Sequence, residues 1–310
     1  MLIIAEVGSN WQTLDDCKIS VAHARSFGAN AVKFQMFSSQ ELYGSDCRPM
    51  TSSMPREWVP ILSEKAKLAG IEFLCTGFSP EGVRYLNPYV SRHKIASAEL
   101  CHTGMLEAAA ESGKPIILST GGHSLSDVQY ALNVLKGYRD ITLLYCESSY
   151  PAYHTDLRKL DLLRGFGYAV GLSDHSREIY SVPLAAIKEQ CTILEKHVNF
   201  VQAVGPDSPH SLTGIEFREM VRAIRGETGE PSLLSPYEKD MVAIHNRRLI
   251  ATQDIRAGEN LLYEKNFGIF RGTSDDTEGL HPALAPKVHG KQAIIEIKQG
   301  QPIGPKGVQL

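Results

Sequence analysis

Eight short runs rich in Val, Ile and Leu recur along the first two-thirds of the chain, separated by segments with helical spacing. They are LIIAEVG (2–8), AVKFQMF (31–37), IEFLCTG (71–77), HKIAS (93–97), PIILSTG (115–121), ITLLYC (141–146), YAVGLSD (168–174) and TILEKHV (192–198). Several are almost continuously apolar, the pattern of parallel strands covered on both faces. Helical segments 15–28, 56–70, 103–113, 125–138 and 180–190 lie between them, and 214–226 follows the last. Gly28, Gly70 and Gly113 stand where a helix C-terminus calls for positive φ. Eight such units over 1–226 predict an α/β fold of the (β/α)8 TIM-barrel kind. An open doubly wound sheet is the alternative. Its usual GxGxxG turn is missing, since the first turn, EVGSNW, has one glycine.

Beyond 226 the texture changes. Residues 227–245 read as a polar, Pro- and Gly-containing linker, and 246–310 as a small β-rich module built on RRLIATQDI, NFGIFRG and KQAIIEI. A module of that size has little core of its own and is expected to lean on another surface. With 32 Lys+Arg against 35 Asp+Glu, the chain has no basic footprint for nucleic acid or an anionic membrane. No apolar run approaches the roughly 18 residues of a membrane span. The start, MLIIAEVGSN, lacks a basic leader region, so a cytoplasmic location is expected. Six cysteines without a CxxC pair read as reduced, mostly buried thiols. Cys75 and Cys146 end strand-like runs, which leaves a nucleophile open as the alternative.

In such a barrel, chemistry gathers at the C-terminal strand ends. Those ends supply Glu6 and Asn10, Lys33 and Gln35, Thr76, then Lys94, Ser97 and Glu99. Ser119 and Thr120, Ser148 and Tyr150, Ser173, Asp174 and His175, and Glu195 and His197 complete the rim. His175 and His197 end neighbouring strands, and with Glu195 or Asp174 nearby they suit an open Mn2+ or Zn2+ site. For either histidine alone, a capping or core role is the competing explanation. Lys33 and Lys94 rise from apolar strands, where a cation is costly unless something anionic neutralises it. A phosphate ringed by Ser97, Ser119 and Thr120 answers that need; a structural ion pair with Glu6 or Glu99 is the alternative. STGG (119–122) is a weak anion-cradle signal, and HGKQ (289–292) reads as a turn. In the loop GPDSPHS (205–211), Asp207 is a candidate for orienting a polyol hydroxyl, against the default of a Pro-Asp turn. An anion clamp facing a metal pair suits a phosphorylated substrate that reacts with a carbonyl compound.

The ordered set IAEVGSN, AVKFQ, TGFS, KIASAE, KPIILSTGG, SSYP, GLSDHS, ILEKHV and GPDSPHSL resembles the sialic acid synthase family. The tail RRLIATQDIRAGE, FRG, HGKQAIIEIKQGQPI resembles that family's antifreeze-like (SAF) domain. The resemblance implies condensation of phosphoenolpyruvate with an aldose, an N-acyl-hexosamine such as N-acetylmannosamine, to a nine-carbon ulosonic acid and phosphate. It implies His175 and His197 as ligands of a divalent metal, Mn2+ by preference, with Mg2+ or Co2+ as alternatives. Lys33, Thr76, Lys94, Ser97, Ser148 and Ser173 fall to phosphoenolpyruvate, and Glu6, Tyr150 and Asp207 to the sugar. Glu195 is a candidate to orient a ligand or take a proton. A domain-swapped homodimer is implied, with Arg271 reaching the sugar's acyl group. Two departures bear on the sugar: Trp11 stands where the family often has His, and Glu147, where Thr is common, adds a negative charge near the phosphate clamp. Other phosphoenolpyruvate-dependent ulosonate synthases, or a non-catalytic sugar-binding relative, are the competing functions.

Overall fold

The computed structural model describes residues 1–44, 53–226, 247–271 and 279–310. It divides into two compact units, Met1–Thr228 and Gly229–Leu310. The linker expected over 227–245 lies outside the described residues.

The first unit holds eight parallel strands: β1 (Leu2–Gly8), β2 (Ala31–Met36), β3 (Glu72–Gly77), β4 (His93–Ile95), β5 (Ile116–Ser119), β6 (Ile141–Cys146), β7 (Ala169–Asp174) and β8 (Ile193–Asn199). The hydrogen-bonded path runs β3–β2–β1–β8–β7–β6–β5–β4, and its two ends, β3 and β4, pack side by side. This is the TIM barrel that the strand rhythm predicts, and not the open sheet. A two-residue strand, β9 (Leu212–Thr213), adds to β8 beyond the barrel. Nine helices are described in this unit: α1 (Leu14–Ser26), α2 (Ser39–Tyr43), α3 (Trp58–Ala69), α4 (Pro80–Leu86), α5 (Thr103–Glu111), α6 (Leu125–Val134), α7 (Lys159–Arg164), α8 (Ser181–Lys188) and α9 (Gly214–Ile224). Local chemistry sets their ends. Capping boxes open α1 (Thr13 with Asp16), α6 (Ser124 with Asp127) and α9 (Thr213 with Glu216). Gly28, Gly70 and Gly113 do adopt positive φ, between 68° and 90°. No helix among the described residues is long and apolar enough to cross a membrane.

One strand is shorter than its sequence signal. HKIAS ends as β4 at Ile95, and a 3-10 turn, Ser97–Glu99, then swings Ser97 over the barrel mouth. His93, which opens β4, is almost fully buried, and its Nε2 has no hydrogen-bond partner among the described residues. Burial, helped by the Lys114 ammonium, pushes its pKa down to about 4. The unfolded chain therefore takes up a proton at this residue near pH 6.5 while the folded chain does not, so stability falls as pH drops from that value toward 4. We expect His93→Gln to remove on the order of 1–2 kcal/mol of the stability lost between pH 7 and pH 5. Denaturant titrations at the two pH values measure it; an unchanged difference would refute the assignment.

The second unit pairs β10 (Arg247–Ala251) antiparallel with β11 (Phe267–Arg271), in register from Arg247 opposite Arg271 to Ala251 opposite Phe267. Leu249, Ile255, Leu261, Phe267, Val288 and Ile303 form its own core. KQAIIEI, expected as a third strand, is not one. It makes isolated bridges only, Asn260 with Gln292, Ala293 with Val308 and Ile255 with Ile297, because the chain turns too often to sustain a ladder.

Candidate active site

The barrel interior is layered with the period of two that a strand imposes. Ile4, Ala31, Leu74, Ile117, Leu144 and Ile193 form a separate apolar cluster that plugs it. Their chain neighbours, among them Ile3, Val32, Phe73, Leu118, Leu143 and Leu194, belong to the larger core shared with the helices. Two residues further along the same strands come Glu6, Lys33, Thr76, Ser119, Cys146 and Glu195. Strand parity alone thus lays a polar layer on the apolar plug.

Above it lies a cavity of about 300 Å3, lined by Glu6, Lys33, Gln35, Thr76, Lys94, Ser97, Ser119, Ser148, Tyr150, Ser173, His175, Glu195 and His197. All of these stand among the strand-end residues singled out in the sequence; Asn10, Glu99, Thr120, Asp174, Asp207 and Arg271 do not line the cavity.

Its floor is a tight charge cluster. Lys33 Nζ pairs with Glu6 Oε2 and lies 3.7 Å from Glu195 Oε2; Lys94 Nζ lies 3.7 Å from Glu195 Oε1. Ser173 Oγ donates to Glu195 Oε1 at 3.0 Å, and Gln35 Nε2 to Glu6 Oε1 at 3.1 Å. Against the cost of burial, Lys33 and Lys94 hold the Glu195 carboxyl down to about 2. Burial and the nearby Glu195 charge instead push Glu6 up to about 7. Burial lowers Lys94, whereas Glu195 and Glu6 overcome the same burial at Lys33 and hold it up to about 12. At neutral pH one carboxylate is firmly ionised and the other only partly so, facing two lysines. The floor is therefore short of negative charge, as an anion site must be. The ion pair of Lys33 with Glu6, an alternative in the sequence, exists within this cluster. No ion pair joins Glu99 to either lysine among the described residues.

Opposite the lysines the wall is aromatic. Tyr150 stacks on His175 with ring centroids 4.1 Å apart, and the His175 and His197 rings are 5.5 Å apart. Tyr150 Oη lies 3.2 Å from His175 Nε2. Burial pushes His175 down to about 3 and His197 to about 4, so both imidazoles are neutral with lone pairs available. His197 Nδ1 has no hydrogen-bond partner among the described residues. Neutral buried imidazoles beside an ionised carboxylate fit a divalent cation of borderline character.

The turn after β1 and the loop after β8 lock together beside this wall. Ser9 donates to Asp207 Oδ2 from its backbone N (2.7 Å) and its hydroxyl (2.9 Å). The approach requires glycine at residue 8, where φ is +56° and a Cβ would collide with the Asp207 carboxylate. Against burial, the His210 and His197 imidazoles and the Ser9 donors hold Asp207 below the usual carboxylate range.

Several expectations need correction, mostly for one reason: alternate residues of a strand face away from the mouth. Asp174, a candidate beside the metal pair, is turned outward and bonds Lys196 Nζ at 2.6 Å, in register across β7 and β8. Lys196, passed over in the sequence, is 1% exposed and also donates to Ser176 O at 2.6 Å. Glu147 likewise faces outward, 3.2 Å from Tyr145 Oη and 3.5 Å from Lys159, in a neighbouring cavity of about 560 Å3. It adds no charge to the phosphate clamp. Thr120 leaves the clamp too, its hydroxyl donating to Leu144 O. Cys75 sits in the core beside the helices with its thiol pushed up by burial, while Cys146 lies 3.5 Å from His175 Nε2. Asn10 ties Val198 O to Ser211, and Trp11 packs edge-on to Trp58 in the core, so neither lines the cavity. Arg271 ends β11 in the second unit and is exposed.

An eight-stranded barrel with a buried lysine–carboxylate floor and an imidazole wall at its C-terminal mouth defines an α/β-barrel enzyme. Residues 20–229 match the NeuB family, and the chain belongs to that family, that of the sialic acid synthases. It is a synthase of the transferase class. An uncharacterised protein of Methanocaldococcus jannaschii is 35% identical over 276 residues, 84% of this chain and 81% of that one. The N,N'-diacetyllegionaminic acid synthase of Legionella pneumophila is 30% identical over 333 residues, 96% of this chain and 92% of its own. The crystal structure of the N-acetylneuraminic acid synthetase of Leptospira borgpetersenii, in complex with citrate, is 30% identical with a TM-score of 0.67. That match covers 78% of this chain and 90% of the other.

Proposed function

We propose that the protein condenses phosphoenolpyruvate with an N-acyl-hexosamine, N-acetylmannosamine or a modified relative, to a nonulosonic acid and inorganic phosphate. The observation that carries this reading is the meeting of Lys33 and Lys94 with His175 and His197 in one cavity. Lys33 and Lys94, with Ser97, Ser119, Ser148 and Ser173, hold the phosphate and carboxylate of phosphoenolpyruvate as point charges and hydroxyl donors. Ser119 Oγ, buried and without a hydrogen-bond partner among the described residues, suits that task. Thr76, 3.4 Å from Lys33 Nζ, steadies the ammonium. Tyr150 and Asp207 orient the sugar.

C3 of phosphoenolpyruvate bonds to the aldehyde carbon, and the aldehyde oxygen takes up a proton; Glu6, pushed up to about 7, is the donor within the cluster. Water then bonds to C2, giving one proton to the Glu195 carboxylate; the new C2 hydroxyl passes its proton to the departing phosphate as the C2–O bond to phosphate breaks and the C2 ketone forms, the phosphate's negative charge leaving toward the lysines. A divalent cation held by His175 and His197, Mn2+ with Mg2+ or Co2+ as alternatives, supplies Lewis acidity to the aldehyde when bound.

The reading extends to the rest of the chain. Residues 1–226 act as the catalytic domain and 246–310 as an antifreeze-like (SAF) domain, in a homodimer whose Arg271 side chains serve the sugar's acyl group. The reaction is placed in the cytoplasm, where phosphoenolpyruvate is made. Phosphate release with phosphoenolpyruvate, Mn2+ and a panel of N-acyl-hexosamines tests the condensation. We expect release that depends on one of the sugars; no release with any aldose, metal being bound, would sink the proposal.

A further inference from the structure

Cys101 and His123 stand on two neighbouring loops of the barrel mouth, the first two residues after the 3-10 turn Ser97–Glu99 and the second directly after STGG. Asp127 follows in the first turn of α6. One ligand atom from each of the three, a thiol sulfur, an imidazole nitrogen and a carboxylate oxygen, falls within 4.8 Å of the other two. His123 Nδ1 lies 3.7 Å from Asp127 Oδ2. Desolvation and the Asp127 charge both push the free, exposed Cys101 thiol up, so thiol and carboxylate face each other with no cation between them. The ligands are held from behind. Asp127 accepts through Oδ2 from Ser124 N (2.9 Å) and Ser124 Oγ (2.7 Å), which fixes the carboxylate and leaves Oδ1 to serve a ligand. Three residues along the same face of α6, Tyr130 Oη shares a 2.7 Å hydrogen bond with Thr103 Oγ1, at the start of α5 and two residues after Cys101. A tetrahedral ion with bonds of about 2.0–2.3 Å needs its ligand atoms on the order of 3–4 Å apart, which side-chain rotation supplies from this spacing. A thiolate, an imidazole and a carboxylate suit Zn2+ better than the harder Mn2+ or Mg2+, with the fourth position left to water.

We propose that Cys101, His123 and Asp127 form a second metal site, for Zn2+, separate from the His175 and His197 pair. None of the three lines the central cavity, so the ion takes no part in the reaction there. It fastens two loops to each other. Gly121 N donates to Ser97 Oγ at 3.1 Å, and these same loops carry Ser97 and Ser119 to the cavity. The importance of that fastening for the anion clamp rests on the function proposed above; the site itself does not.

The test uses the EDTA-stripped full-length protein under a phosphine reductant, without phosphoenolpyruvate or sugar. Co2+ is expected to give a near-ultraviolet thiolate charge-transfer band that Cys101→Ser removes and His175→Ala leaves in place. The comparison of variants is needed because Cys146 Sγ lies 3.5 Å from His175 Nε2 and is a second candidate thiolate. In titration calorimetry, Cys101→Ser is expected to weaken one equivalent of Zn2+ per chain at least tenfold, since removing even a partner outside the ligand shell costs about 10–100-fold. Zn2+ is also expected to slow amide exchange at 97–101 and 121–127 in the wild type and not in Cys101→Ser. No thiolate band in the wild type, or unchanged Zn2+ affinity in a folded Cys101→Ser protein, would overturn the proposal. If that variant fails to fold, His123→Ala carries the test, and unchanged Zn2+ affinity there overturns the site. A protein that shows the Cys101 band yet releases no phosphate would refute the condensation and leave the zinc site standing; an active protein without the band would do the reverse.

Discussion

Replacing Glu195 with Gln is expected to lower kcat by about 10²–10⁴-fold, the range that a positioned acid or base contributes, with no rise in KM for phosphoenolpyruvate. Glu195 is the hub of the cavity floor: both lysines lie 3.7 Å from it, and Ser173 donates to it. The lysines keep it ionised at neutral pH, so a carboxylate stands at the cavity floor within reach of the reacting water. The amide occupies the same space and still accepts from Ser173 but cannot take the proton. Because a negative charge is removed from beside an anion site, binding of phosphoenolpyruvate should hold or tighten. That split between kcat and KM separates a chemical role from a merely structural one. Steady-state kinetics alongside circular dichroism decide it, and activity within threefold of wild type would remove Glu195 from the mechanism.

Lys196→Met is expected to cost about 3–5 kcal/mol of stability, because it strands the Asp174 carboxylate in a site with no solvent. Lys196 and Asp174 are both 1% exposed, and Lys196 also serves Ser176 through its carbonyl and hydroxyl. Replacing both charges by Leu removes the uncompensated carboxylate and should recover much of the loss, since well-packed apolar groups often match a buried ion pair. Denaturant midpoints of the single and double variants measure this. A single variant within 1 kcal/mol of wild type would show that water reaches the pair.

These two carboxylates show how far the sequence could be read. The strand rhythm was enough for the barrel, and the strand ends were enough to bring Lys33, Lys94, Ser173, Glu195 and His197 to one cavity. Strand ends alone do not say which way a side chain points. Ser173 and Glu195 face the mouth, while Asp174 and Lys196, one residue along, are absent from the cavity lining and pair with each other. Counting parity from the apolar plug turns Cys75 (after Leu74), Glu147 (after Leu144) and Lys196 (after Ile193) outward, and Asp174 follows from its register with Lys196. His210 had no such signal. Its position depends on a 3-10 turn whose geometry is set by hydrogen bonds from Ser9, Asn10 and Ser211, up to about 200 residues apart in sequence. Trp11 misled for a related reason, since its partner Trp58 arrives from a distant helix and draws it into the core.

That the mouth joins C3 of phosphoenolpyruvate to an aldose and releases phosphate through attack of water at C2 is decided by isotope. Phosphoenolpyruvate labelled with 18O in the bridging oxygen is incubated with the protein, Mn2+ and the accepted sugar, and both products are weighed by mass spectrometry. Labelled phosphate is expected, formed one for one with an unlabelled nonulosonic acid and absent when the sugar is withheld. Unlabelled phosphate released without sugar would mean attack at phosphorus, and would contradict it.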